Sequence, residues 1–201
     1  MVEIYWGEYR SRTTLNSNLP VIGLDRDGVI NIDKDYIKDP NDFVPIPGSI
    51  EAITALKTAG YKVVIITNQG GIEKGLVKQE EVDSVNTRML ELLGEAGCAR
   101  IEGIYYSASS HKKDYYAKPN TGMFQRAEME LKNIKFSQGY YVGDKLSDLK
   151  AAIKVGAKPV LVRTGHGKFS ERELDKFTYR DIKKKTIVFD NLQNFVSYIF
   201  N

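Results

Sequence analysis

The stretch Val21-Ile22-Gly23-Leu24-Asp25-Arg26-Asp27-Gly28-Val29-Ile30-Asn31 decides the fold. Its first four residues are an apolar, β-branched run too short for a helix. They end abruptly in two carboxylates and a glycine. An apolar run without alternation predicts a strand covered on both sheet faces, and such strands belong to parallel sheets. In an open parallel sheet, ligands gather where the strands end, at their carboxyl ends.

Further runs of the same kind follow at Val63 to Ile66, Gly103 to Tyr106, Tyr140-Tyr141-Val142, Pro159 to Val162 and Ile187-Val188-Phe189. Helical periodicity fills the intervals Ser49–Ala59, Lys78–Glu95, Thr121–Lys132 and Ser147–Val155. Gly60 and Gly156 read as helix stops. A closing helix over Asn191–Phe200 has Leu192, Phe195, Val196 and Ile199 on one face. The alternation predicts an α/β fold, a Rossmann-like parallel sheet with helices on both faces. Residues 1–18 read as an N-terminal extension and residues 19–201 as one domain. Lys183-Lys184-Lys185 reads as a solvated turn before the last strand.

Composition narrows the function classes. With 42% hydrophobic and 27% charged residues, the 201-residue chain is expected to be globular. A net charge of +3 is too small to argue for nucleic acid. One cysteine, Cys98, permits no internal disulfide and fits a reducing cytoplasm. The first residues lack a secretory pattern, and no run of apolar residues is long enough to span a membrane. The expectation is a cytoplasmic monomer acting on a small phosphorylated metabolite, with no membrane or nucleic-acid partner.

Polar clusters follow three of the strands: Asp25 to Asn31, Thr67-Asn68-Gln69-Gly70-Gly71, and Gly143-Asp144-Lys145-Leu146-Ser147-Asp148. The third strand runs out through Ser107 to Lys118-Pro119. Taken singly, each has a bland reading: D-x-D-G as a turn, Lys118-Pro119 as a helix start, Gly143-Asp144 as a cap. A calcium loop of the EF-hand type would need its glycine at position six, whereas Gly28 stands at position four. Together, in order and each after its own strand, they assemble the parts of a phosphoryl-transfer site. Asp25 and Asp27 would repel unless a cation lay between them, and Asp144 adds a third hard oxygen, a set suited to Mg²⁺. One aspartate can take up a phosphoryl group, and the other can move protons. Thr67, Asn68 and Lys118 suit phosphate oxygens.

The segments LDRDGVIN, ITNQGGIEKG, AKPNTGMF and VGDKLSDLKAA resemble the motifs of the haloacid dehalogenase (HAD) superfamily of phosphatases, over nearly the whole chain. Within it they are most similar to the heptose 1,7-bisphosphate 7-phosphatases and the related histidinol-phosphate phosphatases. The resemblance implies Asp25 as nucleophile and metal ligand. It implies Asp27 as general acid and base, with its backbone carbonyl on the metal. It further implies Asp144 as metal ligand, Asp148 as a supporting carboxylate behind the ligands, and Thr67 and Lys118 on the phosphate. Asp33, Lys34, Asp35, Tyr36, Asn68, Gln69, Gly70 and Lys145 are implied as substrate contacts. The expected cofactor is Mg²⁺ and the expected cap is minimal. The implied activity is removal of the 7-phosphate on the path to nucleotide-activated heptose for surface polysaccharide. Alternatives are histidinol phosphate, a polynucleotide 3′-phosphate, or a silent phosphometabolite-binding protein.

Two departures from the family pattern stand out. Relatives often hold a structural zinc through cysteines and a histidine after the third strand. Here the corresponding positions are Ser107, Ser109, Asp114 and Tyr116, so no zinc is expected. Alanine at 117 replaces the arginine that usually precedes the motif lysine. His111, Lys112 and Lys113 are the candidates to supply that charge.

Overall fold

The computed structural model describes residues 19–201; the expected N-terminal extension lies outside them. Six parallel strands form one sheet in the order β3-β2-β1-β4-β5-β6. They are β1 (Val21–Leu24), β2 (Lys62–Asn68), β3 (Gly103–Ser107), β4 (Tyr140–Gly143), β5 (Lys158–Val162) and β6 (Ile187–Phe189). All six are the strands expected from the apolar runs. The helices are α1 (Ser49–Thr58), α2 (Gln79–Glu95), α3 (Gly122–Glu130), α4 (Leu146–Lys154), α5 (Gly167–Leu174), α6 (Arg180–Lys185) and α7 (Leu192–Phe200).

Side chains alternate across β2. Val63 and Ile65 enter one core with Ile22, Leu24, Val142 and Val160, packed against Ile53 and Leu56 of α1, Val85 and Met89 of α2, and Phe195 of α7. Val64 and Ile66 enter the opposite core with Tyr141, Phe124, Phe136, Ala151 and Ala152. Both faces of the sheet are therefore buried, which is why the strands read as unbroken apolar runs rather than as alternations. Gly60 and Gly156 follow α1 and α4 with φ of +90° and +77°, the left-handed stops expected of them.

The chain order runs outward from β1 through β2 to β3, then returns to β4 on the other side of β1. Such a reversal opens a crevice at the strand ends. The loops after β1, β2 and β3 carry no inserted domain, in keeping with a minimal cap. Helices α5 and α6 are additions to the sequence reading. They are short and mostly polar, and Leu174 is the one buried apolar side chain they carry between them. The expected solvated turn at Lys183–Lys185 is instead the last turn of α6, where three cations face the negative end of the helix dipole. Among the described residues, no helix is long and apolar enough to cross a membrane.

Candidate active site

The ends of β1, β2 and β4 open into one cavity of about 300 Å³. Its lining includes Asp25, Asp27, Thr67, Asn68, Gln69, Gly70, Lys118, Lys145 and Asp148, with Asp33, Asp35 and Tyr36 at the mouth. Lys34 is not among the lining residues. Its ammonium lies 3.5 Å from Asp42, whose carboxylate stands in the single turn Pro40–Asp42 and draws the lysine aside.

Lys118 sits at the centre, 3% exposed. Its Nζ is 3.0 Å from Asp25 Oδ1 and 2.7 Å from Asp148 Oδ1, and it donates to the Ile66 carbonyl (2.9 Å) and to Tyr141 Oη (2.8 Å). Burial alone would favour a neutral amine, but Asp148 and Asp25 outweigh it and raise the lysine's pKa. Asn68 fixes the backbone here: its Oδ1 accepts from Lys118 N–H (2.9 Å) and its Nδ2 donates to the Lys118 carbonyl (3.0 Å). That places Asn68 as a clamp on the lysine segment as well as a wall of the cavity.

Asp25 is buried, and burial pushes its carboxyl upward against the pull of Lys118. Its Oδ1 accepts the Arg26 amide at 2.8 Å and faces Lys118. Asp27 is held differently. Arg26 Nη2 lies 3.0 Å from its Oδ2, Asn31 Nδ2 donates to Oδ1 (2.9 Å), and Gln69 Nε2 donates to Oδ2 (2.8 Å). Burial would raise its pKa, but Arg26 and the two amides outweigh it and lower it. The expected conflict between Asp25 and Asp27 is thus relieved for Asp27 by a protein cation. Gln69 also donates to Thr67 Oγ1 at 3.1 Å, so it orients both groups.

Arg26 is one residue that the sequence reading missed. It is 1% exposed, and its Nη1 donates to Asn86 of α2 at 2.8 Å. An arginine between two aspartates of a strand end reads as a solvated charge, and only the fold shows that α2 closes over it.

One carboxylate oxygen from each of Asp25, Asp144 and Asp148 lies within 4.8 Å of the others. Asp144 Oδ2 accepts the His166 amide at 2.7 Å, while Oδ1 is buried with no hydrogen-bond partner. Burial first, then the neighbouring Asp148, push its carboxyl up to about 8. Asp148 does two jobs: Oδ2 accepts the Lys145 amide at the start of α4 (2.9 Å), and Oδ1 meets Lys118. Expected as a supporting carboxylate, it lies beside Asp25 and Asp144 in the acidic cluster. Close approach explains two glycines. A Cβ on Gly143 would lie 2.2 Å from Asp148 Cβ, and one on Gly28 would lie 2.2 Å from Asp144 Oδ2, with φ of +84° besides.

When all are ionised, the four carboxylates Asp25, Asp27, Asp144 and Asp148 outnumber the internal cations Arg26 and Lys118, and Lys145 is shared with Asp33. Buried charge of one sign is costly unless compensated. A divalent cation would supply the missing two positive charges, and the all-oxygen donor set suits a hard ion. The orphaned Asp144 Oδ1 is the atom most in need of one.

At the mouth, Asp33 Oδ2 takes Lys145 Nζ at 3.1 Å and lies 3.5 Å from His166 Nε2. Asp35 and Tyr36 hold successive left-handed conformations, φ of +50° and +58°, a strain of the kind found at functional rims. Lys74 Nζ donates to Tyr36 Oη at 2.7 Å. Gly70 packs against Ser110, and a Cβ there would lie 2.4 Å from its Oγ. In the loop after β3, Ser109 Oγ donates to Glu73 (2.6 Å). Asp114 Oδ1 accepts the Tyr116 and Ala117 amides, at 2.8 and 3.1 Å.

Comparison with known proteins fits this geometry. A family model described as polynucleotide kinase 3 phosphatase matches residues 21–189. A Pseudomonas putida protein named D-glycero-beta-D-manno-heptose-1,7-bisphosphate 7-phosphatase is 41% identical over 170 residues, 84% of this chain and 93% of that protein. A protein of the same name from Neisseria meningitidis serogroup A is 36% identical over 183 residues, covering 90% and 95%. The chain belongs to the HAD-type heptose bisphosphate phosphatase family. The fold agrees: the D,D-heptose 1,7-bisphosphate phosphatase of B. bronchiseptica, solved with magnesium and phosphate, superposes with a TM-score of 0.81. It is 29% identical and covers 90% of this chain and 98% of that one. As a member of this family, the protein is a phosphoric monoester hydrolase.

Proposed function

We propose that this phosphatase removes the 7-phosphate of D-glycero-D-manno-heptose 1,7-bisphosphate, with Asp25 as the nucleophile and Mg²⁺ as cofactor. The observation that carries the reading is the buried contact of Asp25, Lys118 and Asp148 at the floor of a cavity joined by Asp144. The names of relatives at 36–41% identity support the sugar.

Asp25 Oδ1 is engaged by the Arg26 amide and Lys118, which leaves Oδ2 to attack phosphorus as the bond to the sugar oxygen breaks. Thr67 and Lys118 hold oxygens of the transferred group. Asp27 gives a proton to the leaving oxygen, then takes one from the water that frees Asp25. Arg26, Asn31 and Gln69 favour its ionised form, the one that activates water. Mg²⁺ would be held by Asp25 and Asp144, with the Asp27 carbonyl, and would stabilise charge on the phosphoryl group. Asp148 anchors Lys118 beside them. Asp33, Asp35 and Tyr36 line the mouth as hydroxyl partners for a sugar.

The same site in a polynucleotide 3′-phosphatase is the second reading, favoured by the description of the matching family model. Against it, the lining offers one cation with no ion-pair partner among the described residues, Lys112, beside the carboxylates of Asp33 and Asp35, where a phosphodiester backbone would need a row of cations. Phosphate release separates the two. Both heptose 1,7-bisphosphate anomers, histidinol phosphate and a 3′-phosphorylated oligonucleotide should be compared with Mg²⁺ and with chelator. One heptose anomer is expected to lead by at least about tenfold in kcat/KM. Preference for the oligonucleotide, with salt-sensitive affinity, would overturn the reading.

Mg²⁺ binding should carry a pH signature. Without metal, Asp144 keeps a proton up to about pH 8 in the folded chain, against 3.8 for an ordinary carboxyl. That proton stabilises the folded form at low pH, and the benefit is lost as pH rises from about 4 through about 8. A metal replaces the proton. The rise in thermal midpoint on adding a fixed concentration of Mg²⁺ is therefore expected to be larger at pH 8 than at pH 6. An equal or smaller rise at pH 8 would contradict the Asp144 assignment.

A further inference from the structure

The cavity has three lining cations, Lys112, Lys118 and Lys145. Two are already engaged. Lys118 is enclosed by Asp25, Asp148, the Ile66 carbonyl and Tyr141, and serves the floor. Lys145 is paired with Asp33 at 3.1 Å. Lys112 is different: it is exposed, and its ammonium has no ion-pair partner among the described residues. Its neighbours in sequence, His111 and Lys113, do not line the cavity.

The backbone that carries Lys112 is pinned. Asn120 Nδ2 donates to the Lys112 carbonyl at 2.8 Å and to the Asp114 carbonyl at 2.7 Å. The His111 amide donates to Ser109 Oγ at 3.0 Å, and Asp114 N–H donates to the His111 carbonyl at 2.9 Å. Ser110, beside it, packs on Gly70 of the turn after β2. A long cationic side chain therefore projects from a fixed loop into a mouth otherwise rich in carboxylates. Ala117 is fully buried, does not line the cavity and offers no charge.

From this arrangement we infer that Lys112 is the specificity residue for a second anionic group of the substrate, the phosphate that is not transferred. The inference rests on the proposed bisphosphate reading of the site. Asp33 is compensated by Lys145, and Asp35 repels an anion on its side of the mouth, so the free ammonium fixes which end of a bisphosphate points outward. The contact exists before and during phosphoryl transfer, so its loss should fall on KM more than on kcat.

The test compares kcat/KM for heptose 1,7-bisphosphate with that for heptose 7-phosphate, which lacks the second anion. In Lys112→Ala, the bisphosphate-to-monophosphate ratio is expected to fall about tenfold, the size of one lost charge-assisted contact. Lys112→Arg should hold the ratio within about threefold. Lys113→Ala, on the same loop but outside the lining, controls for loop distortion. A wild type that prefers the bisphosphate, with the ratio unchanged in Lys112→Ala, would overturn the Lys112 assignment and leave the proposed function standing. An equal fall in Lys113→Ala would also overturn it. A wild type with no preference for the bisphosphate would overturn the substrate reading and this inference together.

Discussion

Replacing Asp25 with asparagine is expected to lower kcat for phosphate release by at least about 10⁴-fold with the fold intact, because the step loses its nucleophile. The amide keeps the shape of the carboxylate and leaves Lys118 its second partner, Asp148, at 2.7 Å. Burial disfavours the charge at position 25, so removing that charge should cost the folded state little. Activity and stability are thus expected to separate at this residue. Circular dichroism with stopped-time phosphate assays would check both in one preparation. Residual turnover within about tenfold of wild type would mean that the phosphoryl group passes directly to water.

Lys118→Met should behave in the opposite way, losing both properties. The ammonium is buried and compensates two carboxylates that lie 3.0 and 2.7 Å away. Removing it leaves Asp25 and Asp148 facing one another without a counter-charge, a loss of the kind that costs about 3–5 kcal/mol. Transition-state charge also loses its nearest fixed cation, so kcat should fall by about 10²–10³-fold. Urea unfolding would measure the first effect. Adding Asp148→Asn to Lys118→Met should recover part of the lost stability, because it removes one of the stranded charges. A double variant less stable than Lys118→Met would contradict the central ion pair. The recovery should not extend to kcat, which depends on the lysine itself.

The sheet was legible because both of its faces are covered: Val63 to Ile66 face two different cores, so every residue in the run had to be apolar. The floor of the site was legible for a related reason. Asp25 and Asp144 each follow a strand directly, Thr67 is among the last residues of β2, and parallel strands deliver their ends to one edge. What escaped the sequence depends on contacts between distant segments. Arg26 meets Asn86 of α2, and Tyr141, which reads as an ordinary core residue of β4, turns its hydroxyl onto Lys118. Neither contact leaves a periodic trace. Gln69, expected at the substrate, lines the cavity and also holds Asp27 and Thr67, contacts that no local pattern announces. Lys34 was drawn off by Asp42, a pairing set by the path of the loop rather than by any local pattern. Helices α5 and α6 were missed because they are short and mostly polar, with Leu174 their one buried apolar side chain.

The central claim is that Asp25 carries the phosphoryl group. Its most direct test is to quench the enzyme during turnover of heptose 1,7-bisphosphate with Mg²⁺, reduce with borohydride, and map the modified residue by peptide mass. A trapped acyl phosphate is reduced to homoserine, and the account predicts that conversion at position 25 alone. Conversion at Asp27 or Asp148, or an unmodified chain during sustained phosphate release, would contradict it.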